Sequence, residues 1–162
     1  MMRWMWIDKF VAFEPGVRAR AVKNVSLAED HLWDHFPGYP VMPASLMIEG
    51  VAQTGGILVG HARDFRENVI LAKVQRAEFE RIVRPGDQLF YDVQVERIDD
   101  TGASTRGEIL LGEQCIGRVD ILFSHVGRGP SVADLPEHNF VFDDQFRVLV
   151  DGNGLMGGAR GA

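Results

Sequence analysis

The chain has 162 residues, of which 46% are hydrophobic, and this length and composition predict one compact domain with its own core. It carries 17 Lys plus Arg against 23 Asp plus Glu, a formal net charge of -6, which disfavours a nucleic-acid partner. Cys115 is the single cysteine, so no intramolecular disulfide can form and a reducing compartment is expected.

The N-terminal segment predicts a β-hairpin. Its two halves, "WMWIDKFVAF" and "VRARAVKNV", flank the turn "EPG". In the second half, Val17, Ala19 and Ala21 alternate with Arg18 and Arg20, which indicates a strand with one half-buried face.

Two apolar stretches resemble targeting or membrane segments at first sight. The first is interrupted by Asp8 and Lys9 before a signal-peptide core could form. The second, residues 36 to 62, contains three prolines, and its helical part of roughly 18 residues is too interrupted for a membrane span. The sequence therefore predicts a cytoplasmic protein without a membrane span.

Two helices follow the hairpin. Residues 26 to 34, "SLAEDHLWD", predict a short helix that must end before Pro37. A Pro-rich turn then leads into a helix from about Pro43 or Ala44 to about Ala62, which is apolar on nearly all sides and is therefore expected to be enclosed by the rest of the domain.

Four glycines interrupt this enclosed helix. Each weakens a helix by about 1 kcal/mol relative to Ala, so we expect another backbone to approach the helix closely there. The glycines are Gly50, Gly55, Gly56 and Gly60.

Four β-strands are predicted after residue 68. In "QLFYDVQVERI", the apolar Leu89, Tyr91, Val93 and Val95 recur with a period of two, which indicates one buried face. "NVILAKVQ", "STRGEILLG" and "QCIGRVDILFSHV" read similarly and are separated by short turns. We expect an antiparallel meander whose dry face covers the apolar helix, which makes the fold class α+β.

The pattern fades beyond residue 126. The stretch "NFVFDDQFRVLV" predicts either an extra strand pair or an appendage packed on the domain. The last ten residues are expected to be loose.

Two ionisable side chains adjoin or occupy the apolar helix. Glu49 shares a helix face with Gln53, and an isolated carboxyl among apolar side chains must be paired or protonated, the latter being the form that a general acid needs. His35, on the preceding turn, can act as a base. Backbone N–H groups near Ala44 and Ser45 can polarise a carbonyl oxygen. This combination predicts removal of a proton next to a carbonyl with loss of a beta leaving group, which is a dehydration.

Plainer interpretations of these side chains stay open. His35 can be a packing or capping residue, and Glu49 can pair with an Arg of the sheet. "DHLWDH" places His31 and His35 four residues apart, but Leu32 stands where an H-E-x-x-H metal motif has Glu, so neither a metal nor another cofactor is expected.

Three ordered blocks of the sequence resemble one known family. "HFPGYPVMPASLMIEGVAQ" is similar to the pattern H-F-P-G-x-P, M-P-G or F-P-G, then L-x-x-E-A-x-A-Q of the beta-hydroxyacyl-[acyl-carrier-protein] dehydratases of fatty-acid synthesis. "AEFERIVRPGDQL" and "RAVKNVS" resemble two further segments of that family. The expected domains are a dehydratase-like domain over residues 1 to 126 and a C-terminal extension of unknown role over residues 127 to 162.

The resemblance implies a hotdog fold, in which an antiparallel sheet wraps around a long central helix. It implies a homodimer in which His35 of one subunit and Glu49 of the other are the catalytic residues, with a trimer of dimers as a larger assembly. The implied substrate-binding residues are Gly38, Val41, Ala44 and Gln53.

The resemblance also implies a reaction. A (3R)-hydroxyacyl thioester, carried on the phosphopantetheine arm of an acyl carrier protein, is dehydrated to a trans-2-enoyl thioester. His35 takes the alpha proton and Glu49 protonates the departing hydroxyl. A hotdog acyl-CoA thioesterase and a non-catalytic acyl-binding homologue remain as alternatives.

The sequence departs from the family pattern at two positions and raises a question about docking. Ala44 stands where the family usually has Gly, and Asp34 places a charge beside His35. Because the implied carrier is acidic and this chain is also acidic, docking requires a local basic patch. The candidates for that patch are Arg63, Arg66, Arg76, Arg81 and Arg84.

Overall fold

A computed structural model describes residues 4–126, 138–142, 146 and 149–150 of the chain. In chain order its helices and strands are β1 (Lys9–Glu14), β2 (Arg18–Asn24), α1 (His31–Asp34), α2 (Ala44–Ala62), β3 (Asn68–Phe79), β4 (Gln88–Ile98), β5 (Gly102–Leu111) and β6 (Gln114–Val126). The strands form one antiparallel sheet in the order β1-β2-β4-β5-β6-β3. The α+β prediction is therefore confirmed.

The sheet packs around α2. The helix contacts β2, β3, β4, β5 and β6, and it is buried without interruption from Gly50 to Gly60. On β4, Leu89, Tyr91 and Val93 are fully buried, which confirms the inward face that their period of two predicts. The predicted bounds of the central helix are also confirmed.

Aromatic rings pack against the glycines of α2. The expectation that another backbone approaches the helix at these glycines is therefore wrong. A Cβ on Gly50 would lie 2.4 Å from the ring of Tyr91, and one on Gly60 would lie 2.6 Å from the ring of Phe142. The absence of side chains there lets large rings fill the space beside the helix. Burial raises the pKa of the Tyr91 phenol, so this ring stays neutral.

The N-terminal hairpin is confirmed, with β1 and β2 paired across the turn at residues 15–17. Ala19 and Ala21 are buried, as their alternation predicts. Val17 is exposed because it lies in the turn, ahead of the first residue of β2.

The first helix is shorter than predicted. It spans only His31–Asp34, whereas the sequence predicts a start at residue 26. Local side-chain bonds hold the preceding residues in turns: Ser26 Oγ accepts from the Ala28 N–H, and the Glu29 carboxylate accepts from the Ser26 N–H. Such bonds offer the backbone an alternative to the helical pattern.

The prediction of a simple meander is wrong for β3. Strands β4, β5 and β6 are consecutive neighbours, but β3 pairs with β6 at one edge of the sheet and β4 pairs with β2. Periodicity identifies the buried face of a strand but not its neighbour, and roughly a third of consecutive strands are not adjacent. Among the described strands, β3 consequently has a neighbour on one side only.

Part of the C-terminal extension packs on the domain. Of its described residues, Phe142, Leu149 and Val150 are buried in the core, and none lies in a strand, so the appendage interpretation describes them better than a strand pair. The described part of the extension excludes residues 127–137, 143–145, 147–148 and 151–162. The last ten residues, which were expected to be loose, belong to the last of these ranges.

The described residues contain neither a candidate membrane-spanning helix nor a candidate metal cluster. Within them, no helix combines the length and apolar character needed to cross a bilayer. The same residues contain no group of three or more His, Cys, Asp and Glu side chains arranged to hold a metal ion.

Candidate active site

His35 directly follows α1 as its C-cap residue and begins a tight turn that returns to Val41. Its Nδ1 lies 3.1 Å from the carbonyl oxygen of Val41, and the Val41 N–H donates to the His35 carbonyl at 2.9 Å. Because a carbonyl oxygen can only accept, Nδ1 must carry a proton. In the neutral ring this leaves the lone pair on Nε2, which is the form that a general base needs.

Gly38 shapes this turn. The Tyr39 N–H donates to the Phe36 carbonyl at 2.8 Å, which closes the four residues Phe36–Pro37–Gly38–Tyr39. Pro at the second position and Gly at the third favour a type II turn, and Gly38 has the positive φ, 74°, that the third position requires. Gly38, predicted to bind substrate, thus has a conformational role in orienting His35.

Glu49 lies on α2, half-buried. Its Oε1 accepts two hydrogen bonds, from the Trp4 indole Nε1 at 3.1 Å and from the Gln53 amide Nε2 at 3.0 Å. The other oxygen, Oε2, accepts none from the described part of the chain. The carboxyl is therefore held by one oxygen while the second is available to carry a proton.

Gln53 connects the N-terminal segment to the carboxyl of Glu49. In addition to that bond, its Nε2 donates to the Trp4 carbonyl at 3.0 Å and its Oε1 accepts from the Trp6 N–H at 2.8 Å. Gln53, predicted to bind substrate, thus positions the carboxyl. Sequence reasoning missed Trp4, because its contact with Glu49 spans 45 residues of chain and no local pattern marks it.

The N-terminus of α2 presents free backbone donors. The Leu46 and Met47 N–H groups both donate to the Pro43 carbonyl, so the N–H groups of Ala44 and Ser45 have no partner within the helix. Ala44 is exposed and does not have a positive φ. Alanine therefore keeps the donor without strain, although the family usually has Gly there.

Two clefts lie on different sides of α2. Val41 and Ala44 line a cleft of about 320 Å³ against residues 79–83, whereas Glu49 and Gln53 line a pocket of about 250 Å³. Ala44 and Glu49 are five residues apart, which separates their directions by about 140° around the helix axis. A single chain thus places the Val41 turn and Glu49 in separate cavities.

Arg81 lines the Ala44 cleft, and Arg84 follows directly after Val83, the last residue of that lining. The Arg84 guanidinium stacks over the Tyr39 ring at 4.5 Å and donates to the Tyr39 hydroxyl. The other three candidate arginines, Arg63, Arg66 and Arg76, each pair with a carboxylate. Among the described residues, Arg81 and Arg84 form no ion pair, although Glu80 lines the same cleft as Arg81.

Solved structures identify the class of fold. The chain resembles the dehydratase heterocomplex ApeI:P of Xenorhabdus doucetiae, with a TM-score of 0.66 and 15% identity over 77% of this chain and 85% of that one. It also resembles smu.793 of Streptococcus mutans bound to acetyl CoA, with a TM-score of 0.60 and 12% identity over 74% and 88% of the two chains. The predicted hotdog fold is confirmed.

Sequence comparisons identify the family. The chain belongs to the FabA-like family, whose model matches residues 3–119. It is 35% identical to the 3-hydroxyacyl-[acyl-carrier-protein] dehydratase FabZ of Pelotomaculum thermopropionicum, over 75% of this chain and 87% of the relative. It is 37% identical to the FabZ of Chloroflexus aggregans, over 75% and 85% of the two chains. The family expected from the three sequence blocks is confirmed.

Proposed function

We propose that the protein dehydrates (3R)-hydroxyacyl thioesters on acyl carrier protein to trans-2-enoyl thioesters in fatty-acid synthesis. Family membership and the names of the FabZ relatives support this reaction. The observation that carries it is the bond from His35 Nδ1 to the Val41 carbonyl, because it leaves Nε2 as the base. An elimination needs a base at the alpha carbon.

The proposed chemistry proceeds in one active site. His35 Nε2 removes the alpha proton while the Ala44 and Ser45 N–H groups stabilise negative charge on the thioester oxygen. The electron pair of the broken C–H bond forms the double bond as the bond to the hydroxyl breaks. Glu49 gives its proton to the departing hydroxyl, which leaves as water.

The active site is proposed to form between the two subunits of a homodimer. Within one chain, Val41, which accepts the bond from His35, and Glu49 line different cavities, which supports completion of each site by a second copy. The side of β3 that has no neighbouring strand in the described part of the chain offers an edge at which another sheet can continue, since exposed edge strands tend to pair. A trimer of such dimers remains a prediction.

An assay with a crotonyl thioester tests the function. We expect the protein to add water to the enoyl group, which is the reverse reaction, with loss of the enoyl absorbance and no release of thiol. Thiol release without hydration would instead indicate a thioesterase. Binding of the thioester without any turnover would indicate a non-catalytic acyl-binding protein.

A cytoplasmic location is proposed for the reaction, which the lone Cys115 supports.

Arg81 and Arg84 are proposed to dock the carrier protein. Changing Arg81 and Arg84 together to Glu should raise KM for a carrier-linked substrate about tenfold or more. KM for a small thioester should rise less, because only the carrier protein contacts the surface around these two arginines.

A matched double variant controls for charge in this docking test. Arg66→Glu with Arg76→Glu alters the net charge equally but at arginines that already form ion pairs. It should raise KM for the carrier-linked substrate much less than the Arg81 and Arg84 variant does. Equal losses on carrier-linked and small substrates, or equal effects of both double variants, would argue against docking at Arg81 and Arg84.

A further inference from the structure

The C-terminal extension supplies part of the lining of the pocket that contains Glu49. The pocket follows α2 from Glu49 past Ala52 to Gly56, and on the sheet side it is bounded by β3 and Phe123. Its remaining lining comes from the extension, namely Phe140, Val141, Phe142 and Phe146. Apart from Glu49 and Gln53 the lining side chains are apolar, so the pocket suits an alkyl chain rather than a polar group.

Two asparagines, Asn68 and Asn139, form hydrogen bonds that attach this part of the extension to the domain. Asn68 Oδ1, at the start of β3, accepts from the Phe140 N–H at 3.0 Å. Asn139 donates from Nδ2 to the Phe65 and Glu67 carbonyls, each at 3.1 Å, while its Oδ1 accepts from the Phe142 N–H at 3.0 Å. The extension is thus fixed by hydrogen bonds at the end of the pocket remote from Glu49.

An aromatic contact adds to this attachment. The Phe142 ring fills the space that Gly60 leaves open on α2 and meets the Phe65 ring edge-on, with centroids 4.9 Å apart. Phe142 is itself buried. Hydrogen bonds and ring packing together therefore hold this segment in place as one side of the cavity.

We propose that Phe140, Val141, Phe142 and Phe146 form the end wall of the acyl pocket and limit the length of acyl chain that the enzyme accepts. This inference rests on the proposed function, in which Glu49 acts at the third carbon of the acyl group. The family match ends at residue 119, so the wall comes from a part of the chain outside that match.

The position of the proposed wall predicts the length of acyl chain that the pocket accepts. Glu49 and Gly56 are seven residues apart, which is roughly 10 Å along the helix axis. An extended chain advances about 1.2 Å per bond, so roughly eight bonds fit beyond the carbon at Glu49. A 3-hydroxydecanoyl chain should fit within the pocket, whereas a 3-hydroxypalmitoyl chain should meet the wall.

Two variants with opposite expected effects test the wall. Phe140→Ala removes a wall ring and should raise the ratio of kcat/KM for 3-hydroxypalmitoyl over 3-hydroxydecanoyl thioester about tenfold or more. Gly56→Ala adds a methyl to the pocket and should lower the ratio for 3-hydroxydecanoyl over 3-hydroxybutyryl thioester by about tenfold. A Cβ on Gly56 would lie 3.7 Å from its nearest neighbour, Phe123, so this variant should fold normally.

The control and a second readout separate the possible outcomes. Leu27→Ala, at an exposed position outside the pocket lining, should leave both ratios unchanged. Equilibrium binding of S-alkyl coenzyme A thioethers of the same chain lengths should follow the same order as kcat/KM. Wild-type protein inactive on every thioester would refute the proposed function itself. An active wild type whose ratios change in neither variant would overturn the wall alone.

Discussion

Replacing His35 with Ala should lower kcat/KM for hydration of a crotonyl thioester by about a hundredfold to ten-thousandfold, the usual effect of removing a general base. The bond from Nδ1 to the Val41 carbonyl orients the ring and fixes the proton on that nitrogen, so Nε2 carries the lone pair that the proposed reaction uses. Glu49→Gln should cause a loss of similar size, because an amide cannot donate the proton that the departing hydroxyl needs.

A conservative variant controls for a purely structural effect at this site. Trp4→Phe removes only the indole N–H that donates to Glu49 Oε1, while the Gln53 bond to the same oxygen remains. Its loss of kcat/KM should stay within about tenfold, since the net contribution of one hydrogen bond to a neutral, protonated carboxyl is about 0.5–1.5 kcal/mol. His35→Ala protein that kept nearly full activity would contradict the assignment of the base.

Mixing the two inactive variants should restore activity if the sites are shared between subunits. A dimer of one His35→Ala and one Glu49→Gln subunit has one site with both side chains intact and one with neither. With random exchange of subunits, half of the dimers are mixed, so about one quarter of the wild-type sites should return in a twofold-symmetric assembly. Rate measurement after mixing, alongside the molar mass in solution, checks this result.

The control for this experiment pairs His35→Ala with the double variant His35→Ala, Glu49→Gln. No combination of those subunits contains an intact site, so the mixture should stay inactive. A mixture of the two single variants that is equally inactive, despite confirmed subunit exchange, would place each active site within one chain.

Local sequence patterns predicted much of the fold. Strand β4 follows from the period of two in Leu89, Tyr91 and Val93, and the bounds of α2 follow from its apolar run after Pro43. The turn at His35 follows from Pro37 and Gly38, whose backbone preferences act within four residues. In each case the determining interactions lie within a few residues of one another.

The remaining features depend on contacts between distant parts of the chain. The position of β3 beside β6 depends on pairing choices that periodicity does not encode. The bond from Trp4 to Glu49 joins residues 45 positions apart, and the Asn139 bonds to Phe65 and Glu67 span more than 70. These features therefore emerge only when the folded arrangement of the chain is known.

The interlocking of Gly60 with Phe142 couples two distant positions of the chain. A side chain at residue 60 would occupy the space of the Phe142 ring, because the first added carbon already lies within 2.6 Å of it. A helix with Ala there would have to release the ring, and a chain without the ring would leave a void beside the glycine. In any lineage descended from this protein, the two residues should therefore be inherited or lost together, and substrate range should diverge with them.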